Sequence, residues 1–179
     1  MGVFGGRVVT LTARGEQAND LPSIREVNTL AFGQADEADL VDALRGEVEP
    51  FISLVAERDG RVVGHILFTP VTIESADGSK STAMGLGPMA VLPECQRQGI
   101  GSALVRAGLE ACERQGEFVV FVLGHAEYYP RFGFEPARPK GLTCQWEVPD
   151  EAFMVVELTV RALAGRRGLV RYADAFSDV

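Results

Sequence analysis

The run Met89-Ala90-Val91-Leu92-Pro93-Glu94-Cys95-Gln96-Arg97-Gln98-Gly99-Ile100-Gly101-Ser102-Ala103-Leu104 carries three local signals in succession. Its apolar opening predicts a strand that stops at Pro93, because proline cannot donate to a sheet ladder. Gly99-Ile100-Gly101 predicts a turn, and beyond it Ile100, Leu104, Ala107 and Ala111 fall on one face at helical spacing. A strand that feeds a glycine turn and then a helix has a chemical consequence. Glycine lets the backbone approach a ligand closely, and the first amides of a helix have no partner within it. Those N–H groups, with the positive end of the helix dipole, suit a phosphate or pyrophosphate, and Arg97 in the same turn adds charge. The spacing by itself is equally compatible with an ordinary strand–loop–helix connection.

Two familiar glycine loops are excluded at once. The dinucleotide fingerprint needs a third glycine where this chain has Leu104, and the phosphate loop of nucleotide hydrolases needs a Gly-Lys-Ser/Thr ending that is absent. The strand leading into the turn, residues 83–92, is itself unusual, since it contains Gly85, Gly87 and Pro88. These residues weaken a strand interior and predict either an edge or bulge, or a break in pairing with a neighbour. In the second case the partner is the apolar run 118–123, and backbone groups of Met89, Ala90 and Val91 become free for a ligand that carries amides.

Composition bounds the rest. A chain of 179 residues, 46% hydrophobic, suits one globular domain. A net charge of −8 argues against a nucleic-acid partner, whose binding relies on neutralising phosphates. Cys95, Cys112 and Cys144 are odd in number and lack a Cys-x-x-Cys pairing, so free thiols in a reducing cytoplasm are expected, with no metal site. No apolar run reaches membrane-spanning length and no secretory segment opens the chain, so neither a membrane nor export is expected.

Along the chain, residues 7–13 (Val8, Val9, Leu11) predict a first strand. Asp20 or Ser23 would cap a helix bearing Ile24, Val27, Leu30 and Ala31 that ends at Phe32-Gly33. A second helix is expected over 36–45, with Leu40, Val41 and Leu44 as its apolar stripe. Asp59-Gly60 between the runs 51–57 and 61–70 predicts a hairpin, which residues 71–74 extend. The glycine-turn helix should run from Gly99 to about Gln115, with Gly116 as its left-handed cap. Residues 118–123 predict a buried parallel strand, and 153–160 a last strand. The tail from 162 to 179 shows too little periodicity to assign.

Gln96-x-x-Gly99-x-Gly101, with Pro88-Met89-Ala90-Val91-Leu92-Pro93-Glu94 before it and Ser102-Ala103-Leu104 after it, resembles the acetyl-CoA pyrophosphate loop of the GNAT superfamily of N-acetyltransferases. Tyr129-Pro130-Arg131-Phe132-Gly133-Phe134 is similar to the Tyr-x-x-x-Gly-Phe that many members carry after their fifth strand. The form Gly124-His125-x-Glu127-Tyr128-Tyr129 resembles the bacterial YhbS-like branch, and the likeness covers most of the chain. One departure stands out: where members often have Asn and then Ala ahead of that tyrosine, this chain has Val122-Leu123-Gly124-His125-Ala126.

The resemblance implies a single-domain α/β fold (α+β by some schemes) over residues 1–179, with its core motif at 83–135 and the 162–179 tail packed on it. The sheet would be mixed and mostly antiparallel, with a splayed parallel pair of strands at its centre and helices on both faces. It also implies acetyl-CoA as co-substrate and no metal. Met89 and Val91, with Ala90 between them, would bond the pantetheine amides; Arg97, Gln98, Gly99, Ile100, Gly101 and Ser102 would meet the phosphates. Tyr129 would be the general acid that protonates the departing thiolate, a task open to a phenol that is neutral at pH 7. His125 is the residue best placed for a general base, its ordinary pKa being about 6.5; a structural histidine or a water chain would serve as alternatives. His65, mid-strand among apolar residues, reads as a core histidine, and Tyr128 as packing or pocket lining.

The activity so implied is direct acetyl transfer to a primary amine, on a small molecule or a peptide. A different class remains open, a CoA- or acyl-CoA-binding module without transferase activity. A homodimer is the remaining partner expectation, because many members of the superfamily pair.

Overall fold

The computed structural model describes residues 10–178. Its elements run β1 (Leu11–Gly15), α1 (Leu21–Phe32), α2 (Asp36–Leu44), β2 (Ile52–Arg58), β3 (Arg61–Glu74), β4 (Lys80–Val91), α3 (Ile100–Arg114), β5 (Val119–Leu123), β6 (Glu135–Pro136), β7 (Leu142–Cys144), β8 (Phe153–Glu157) and β9 (Gly168–Arg171). The strands form one mixed sheet in the order β1-β2-β3-β4-β5-β8-β6, and β9 joins it beside β3 and β7. Every pairing along the main path is antiparallel except β4 with β5, the expected parallel pair.

The hairpin forms where Asp59-Gly60 predicts it. Both residues take positive φ, 51° and 83°, the geometry that a tight hairpin turn between twisted strands requires. β3 is long enough to serve two neighbours on one edge, β2 along its first half and β9 over Thr72–Glu74, while β4 follows it on the other edge.

Side chains alternate across the sheet, and that alternation assigns the helices. Leu54, Ala56, Ile66 and Phe68 face α3, whose Ile100, Leu104, Val105 and Cys112 are buried against them. Val55 and Leu67 point the other way and meet Ile24 of α1 with Leu40, Val41 and Leu44 of α2. α3 lies very close to the sheet at Gly108, where a β-carbon would stand 2.2 Å from the Phe68 ring. A third cluster, containing Val71, Phe121, Phe153, Val155, Val170 and Tyr172, continues the α1/α2 side toward the chain's C-terminal part.

Several local expectations need correction. The first strand begins at Leu11 and reaches Gly15, and the part assigned to residues 7–9 lies outside the described residues. Asp20 occupies the position before α1 but does not cap it. Its carboxylate instead takes two hydrogen bonds from Arg14, at 2.6 and 3.0 Å, and one from the Gln17 amide at 2.7 Å. Ser23 lies inside the helix. Strand 153–160 stops at Glu157 and is not the last, because the tail adds β9. The tail is tied down further where Arg166 donates to the Thr82 carbonyl at 3.0 Å.

Gly85 also needs correcting. It pairs normally between Thr69 and Phe121, so pairing with β5 fails only after Leu86.

Candidate active site

The last parallel pair joins Leu86 to Val122. Immediately beyond it β4 bulges. Ile66 and Phe68 of β3 oppose Met89 and Leu86, so one intervening residue on β3 faces two, Gly87 and Pro88, on β4. Such a bulge bends a strand and ends its pairing on one side. From Met89 onward β4 keeps β3 as a neighbour but has no partner on the β5 side.

The ladder fixes which backbone groups this exposes. Leu92 donates to the Val63 carbonyl at 2.9 Å, so the 63/92 pair is of the hydrogen-bonded kind, and by alternation so is 65/90. Met89 and Val91 therefore turn their N–H and C=O groups away from β3, into the gap. The Val91 carbonyl is taken by the Gln96 side-chain amide at 3.1 Å. The two amide N–H groups and the Met89 carbonyl remain available to an extended ligand.

At the end of the gap, Gly99 precedes α3 in a left-handed conformation, φ 82°, with no side-chain cap. The first bond of the helix runs from the Ala103 amide to the Gly99 carbonyl, 3.0 Å. The amides of Ile100, Gly101 and Ser102 accordingly have no intrahelical acceptor and point out of the helix start, where an anion is favoured. Arg97, also left-handed at φ 60°, is exposed beside them. Gly101 has a spatial reason as well: a β-carbon there would lie 3.0 Å from the Tyr128 hydroxyl.

Gap and helix start together border a cavity of about 870 Å³. Met89, Ala90, Val91, Arg97, Gly99, Ile100, Gly101, Ser102, His125 and Tyr129 all line it. Gln98 does not. Its carbonyl oxygen accepts from Arg58 at 2.6 Å and its amide donates to the Glu94 carbonyl at 3.1 Å, which turns the side chain away. The glutamine that does border the cavity is Gln96. Tyr128, expected as packing or pocket lining, borders the cavity, and so does Arg131, to which the sequence assigned no role. The Tyr128 hydroxyl is 3.4 Å from Ser102 Oγ, and the Arg131 guanidinium stacks 4.7 Å above the Tyr128 ring. Their three-residue spacing is visible in the sequence, but only the short helical turn Tyr129–Phe132 brings them together.

Tyr129 is buried, with its ring edge-on to Tyr128 and Phe134. Burial, and secondarily the neighbouring Tyr128, pushes its phenol well above the ordinary value, so the proton stays on the oxygen across the working pH range. The ring rests on Gly124, where a β-carbon would be 2.5 Å from it. This contact leaves no room for a side chain at position 124. His125 is exposed, and its carbonyl accepts from the Tyr128 amide at 3.0 Å, which starts the turn that carries both tyrosines.

Cys95 is buried with Arg58 donating to its sulfur at 2.8 Å, and burial pushes the Cys112 thiol up to about 12. Glu57 is bound by Arg14 at 2.7 Å, and Glu94 by Arg61 at 3.3 Å.

A second cavity, of about 630 Å³, lies across the bulge from the first, and the two share Phe32, Met89, His125 and Tyr129. The splayed strands thus separate a channel that ends at bare amides from a more apolar chamber. Tyrosine and histidine stand where the two meet.

Splayed parallel strands, a left-handed glycine at an uncapped helix start and a tyrosine at the junction define a class of acyl-transfer protein. The Acetyltransferase (GNAT) domain family matches residues 12–137, and the chain belongs to it. It is 43% identical over 162 residues to the uncharacterised N-acetyltransferase YjhQ of Escherichia coli K12, covering 87% of this chain and 88% of YjhQ. With the uncharacterised N-acetyltransferase YhbS of the same strain it shares 36% over 159 residues, 88% of this chain and 93% of that one. The crystal structure of Escherichia coli YhbS in complex with CoA superposes with a TM-score of 0.87, at 34% identity and covering 96% and 94% of the two chains. A GNAT family acetyltransferase from Brucella melitensis, crystallised with acetyl-CoA, gives 0.76 at 35% identity, covering 93% and 98%.

Proposed function

We propose that this enzyme moves an acetyl group directly from acetyl-CoA to a primary amine, within a complex of all three. The observation that carries the reading is the meeting of two cavities at Met89, His125 and Tyr129. Each reactant then has its own approach to one point, and no covalent enzyme intermediate is required.

The pyrophosphate would sit on the free amides of Ile100, Gly101 and Ser102, with Arg97 supplying charge. The pantetheine arm would lie along β4 as a substitute strand, bonded to the Met89 and Val91 backbone. The Met89 N–H would then be offered to the thioester carbonyl and would stabilise the oxyanion as the amine nitrogen attacks. Collapse of the adduct breaks the C–S bond. Because burial keeps the Tyr129 phenol protonated, it can hydrogen-bond the departing sulfur at any working pH. The ammonium proton would leave through His125, which borders both cavities. The whole chain would act as one cytoplasmic domain, its tail forming part of the second cavity.

Release of CoA thiol in the presence of an amine panel tests transfer, and calorimetry with CoA tests the channel. We expect Tyr129→Phe to lower kcat by about tenfold to a hundredfold, the range in which a positioned acid acts, with CoA affinity unchanged. Acetyl-CoA binding with no turnover on any amine would replace the transferase with a CoA-binding module.

A further inference from the structure

The chemistry of the second cavity narrows the acceptor. Its floor is a run of rings: Trp146 and Tyr172 have centroids 5.2 Å apart, as do Tyr172 and Phe176. Tyr172 is held flat on the sheet at Gly85, where a β-carbon would stand 2.6 Å from its ring. Its hydroxyl is buried with no hydrogen-bond partner among the described residues. The remaining wall is largely aliphatic.

Fixed charge in the lining is sparse. Among the described residues Glu37, in the first turn of α2, is the single carboxylate, no lysine or arginine lines the cavity, and His125 at the junction is the one other ionisable side chain besides the tyrosines. Among the described residues Glu37 enters no ion pair. The side-chain hydrogen bonds it takes there are two long ones from the Gln34 amide, at 3.3 and 3.4 Å. One ammonium group would find a counter-charge there. A carboxylate brought into the same chamber would find no lysine or arginine, with His125 at the junction as its one basic group, and away from that junction would bear the cost of burial unpaired. A polyamine or an aminoglycoside would meet one anion with several cations.

We infer that the acceptor is a small monoamine whose amino group is carried on an aromatic or bulky apolar body without a carboxylate, an amine of the arylalkylamine kind. The inference rests on the second cavity being the acceptor side of the proposed transferase. Aromatic walls would take the body by stacking and burial, and Glu37 would supply the counter-charge that draws the ammonium into the chamber before the nitrogen moves on to the junction.

Phenethylamine and tryptamine, phenylalanine and tryptophan, and spermidine are titrated calorimetrically into the CoA-saturated protein, and each is then assayed for CoA release from acetyl-CoA. The two arylalkylamines should bind at least about tenfold more tightly than the matching amino acids, the scale on which an unmatched buried polar group discriminates. Glu37→Gln should weaken phenethylamine by about tenfold and leave CoA affinity and the melting temperature unchanged. Equal binding of phenylalanine and phenethylamine, or a preference for spermidine, overturns the inference. If arylalkylamines bind but no amine releases CoA, the chamber keeps its ligand class while the transferase reading falls, and with it the naming of that ligand as an acceptor. If another amine class is turned over while arylalkylamines neither bind nor react, the transferase stands and the inference falls. Failure of all amines to bind or react removes both.

Discussion

Lowering the pH should destabilise this protein through one histidine, by an amount that its surroundings define. His65 is fully buried on β3, and its backbone pairs with Ala90, between the two residues assigned to the pantetheine. Asn28 of α1 sits 3.0 Å from His65 Nδ1 and also donates to the Ile24 carbonyl at 2.9 Å. A carbonyl accepts only, so the Asn28 NH₂ group must point at both, and Nδ1 must be an acceptor. The ring proton is then on Nε2, donated to Ser53 Oγ at 2.9 Å, and the Ser53 hydroxyl passes its own hydrogen to Glu16. Arg45 closes the chain on Glu16 at 2.9 Å. Burial first of all, with Glu16 opposing and Arg45 assisting, pushes His65 down from 6.5 to about 4. A proton added at Nδ1 would also face the hydrogens of Asn28.

The folded histidine thus holds fewer protons than the unfolded one between these two values. Its contribution to stability is complete above about pH 6.5, declines as the pH falls, and is gone below about pH 4. At pH 5 the loss is about 2 kcal/mol, and in full about 3 kcal/mol. Urea unfolding of the wild type and of His65→Gln, each at pH 7.5 and 5, isolates this share. Glutamine keeps an acceptor and a donor but does not titrate, so the carboxylates common to both proteins cancel. The chain has two histidines, and an NMR titration assigns each ring. Equal pH slopes in the two proteins, or a His65 ring that titrates near its free value as the neutral Nδ1–H form, would refute the reasoning.

Three substitutions test other contacts. Gly124→Ala places a β-carbon 2.5 Å from the Tyr129 ring, so kcat for CoA release should fall about as far as in Tyr129→Phe while CoA affinity holds; Gly15→Ala, with open space around it, is the control. Gly108→Ala drives a β-carbon to 2.2 Å from the fully buried Phe68 ring and should cost about 1–3 kcal/mol in chemical denaturation, the range for overpacking a core. Arg97→Ala should weaken CoA several-fold by calorimetry, and less so at high salt. Gln98→Ala, whose side chain faces Arg58 instead, should leave CoA affinity within about twofold.

What the sequence disclosed were features that a few adjacent residues decide alone. Asp59-Gly60 dictates a hairpin wherever it separates apolar runs, and Gly99 before an amphipathic run dictates a helix with bare amides. The parallel pair and the location of the channel follow from those signals. Gln98 escaped because its direction is set by Arg58, which arrives from a different strand. The C-terminal wall of the second cavity escaped for a related reason. β9 is four residues long, too short to show a period, and its pairing to β3 and β7 carries Tyr172 and Phe176 to the site.

Gly85 and Gly87 show how far such reasoning reaches. In sequence they are one signal, a weak strand. In the fold Gly87 belongs to the bulge that parts β4 from β5, whereas Gly85 stays fully paired and gives up its side chain so that the Tyr172 ring can lie on the sheet. The first glycine shapes the chamber floor, and the second, which also lines the chamber, belongs to the bulge where the channel opens, so two residues apart on one strand they do different work. Gly85→Ala should therefore disturb amine binding before it disturbs CoA.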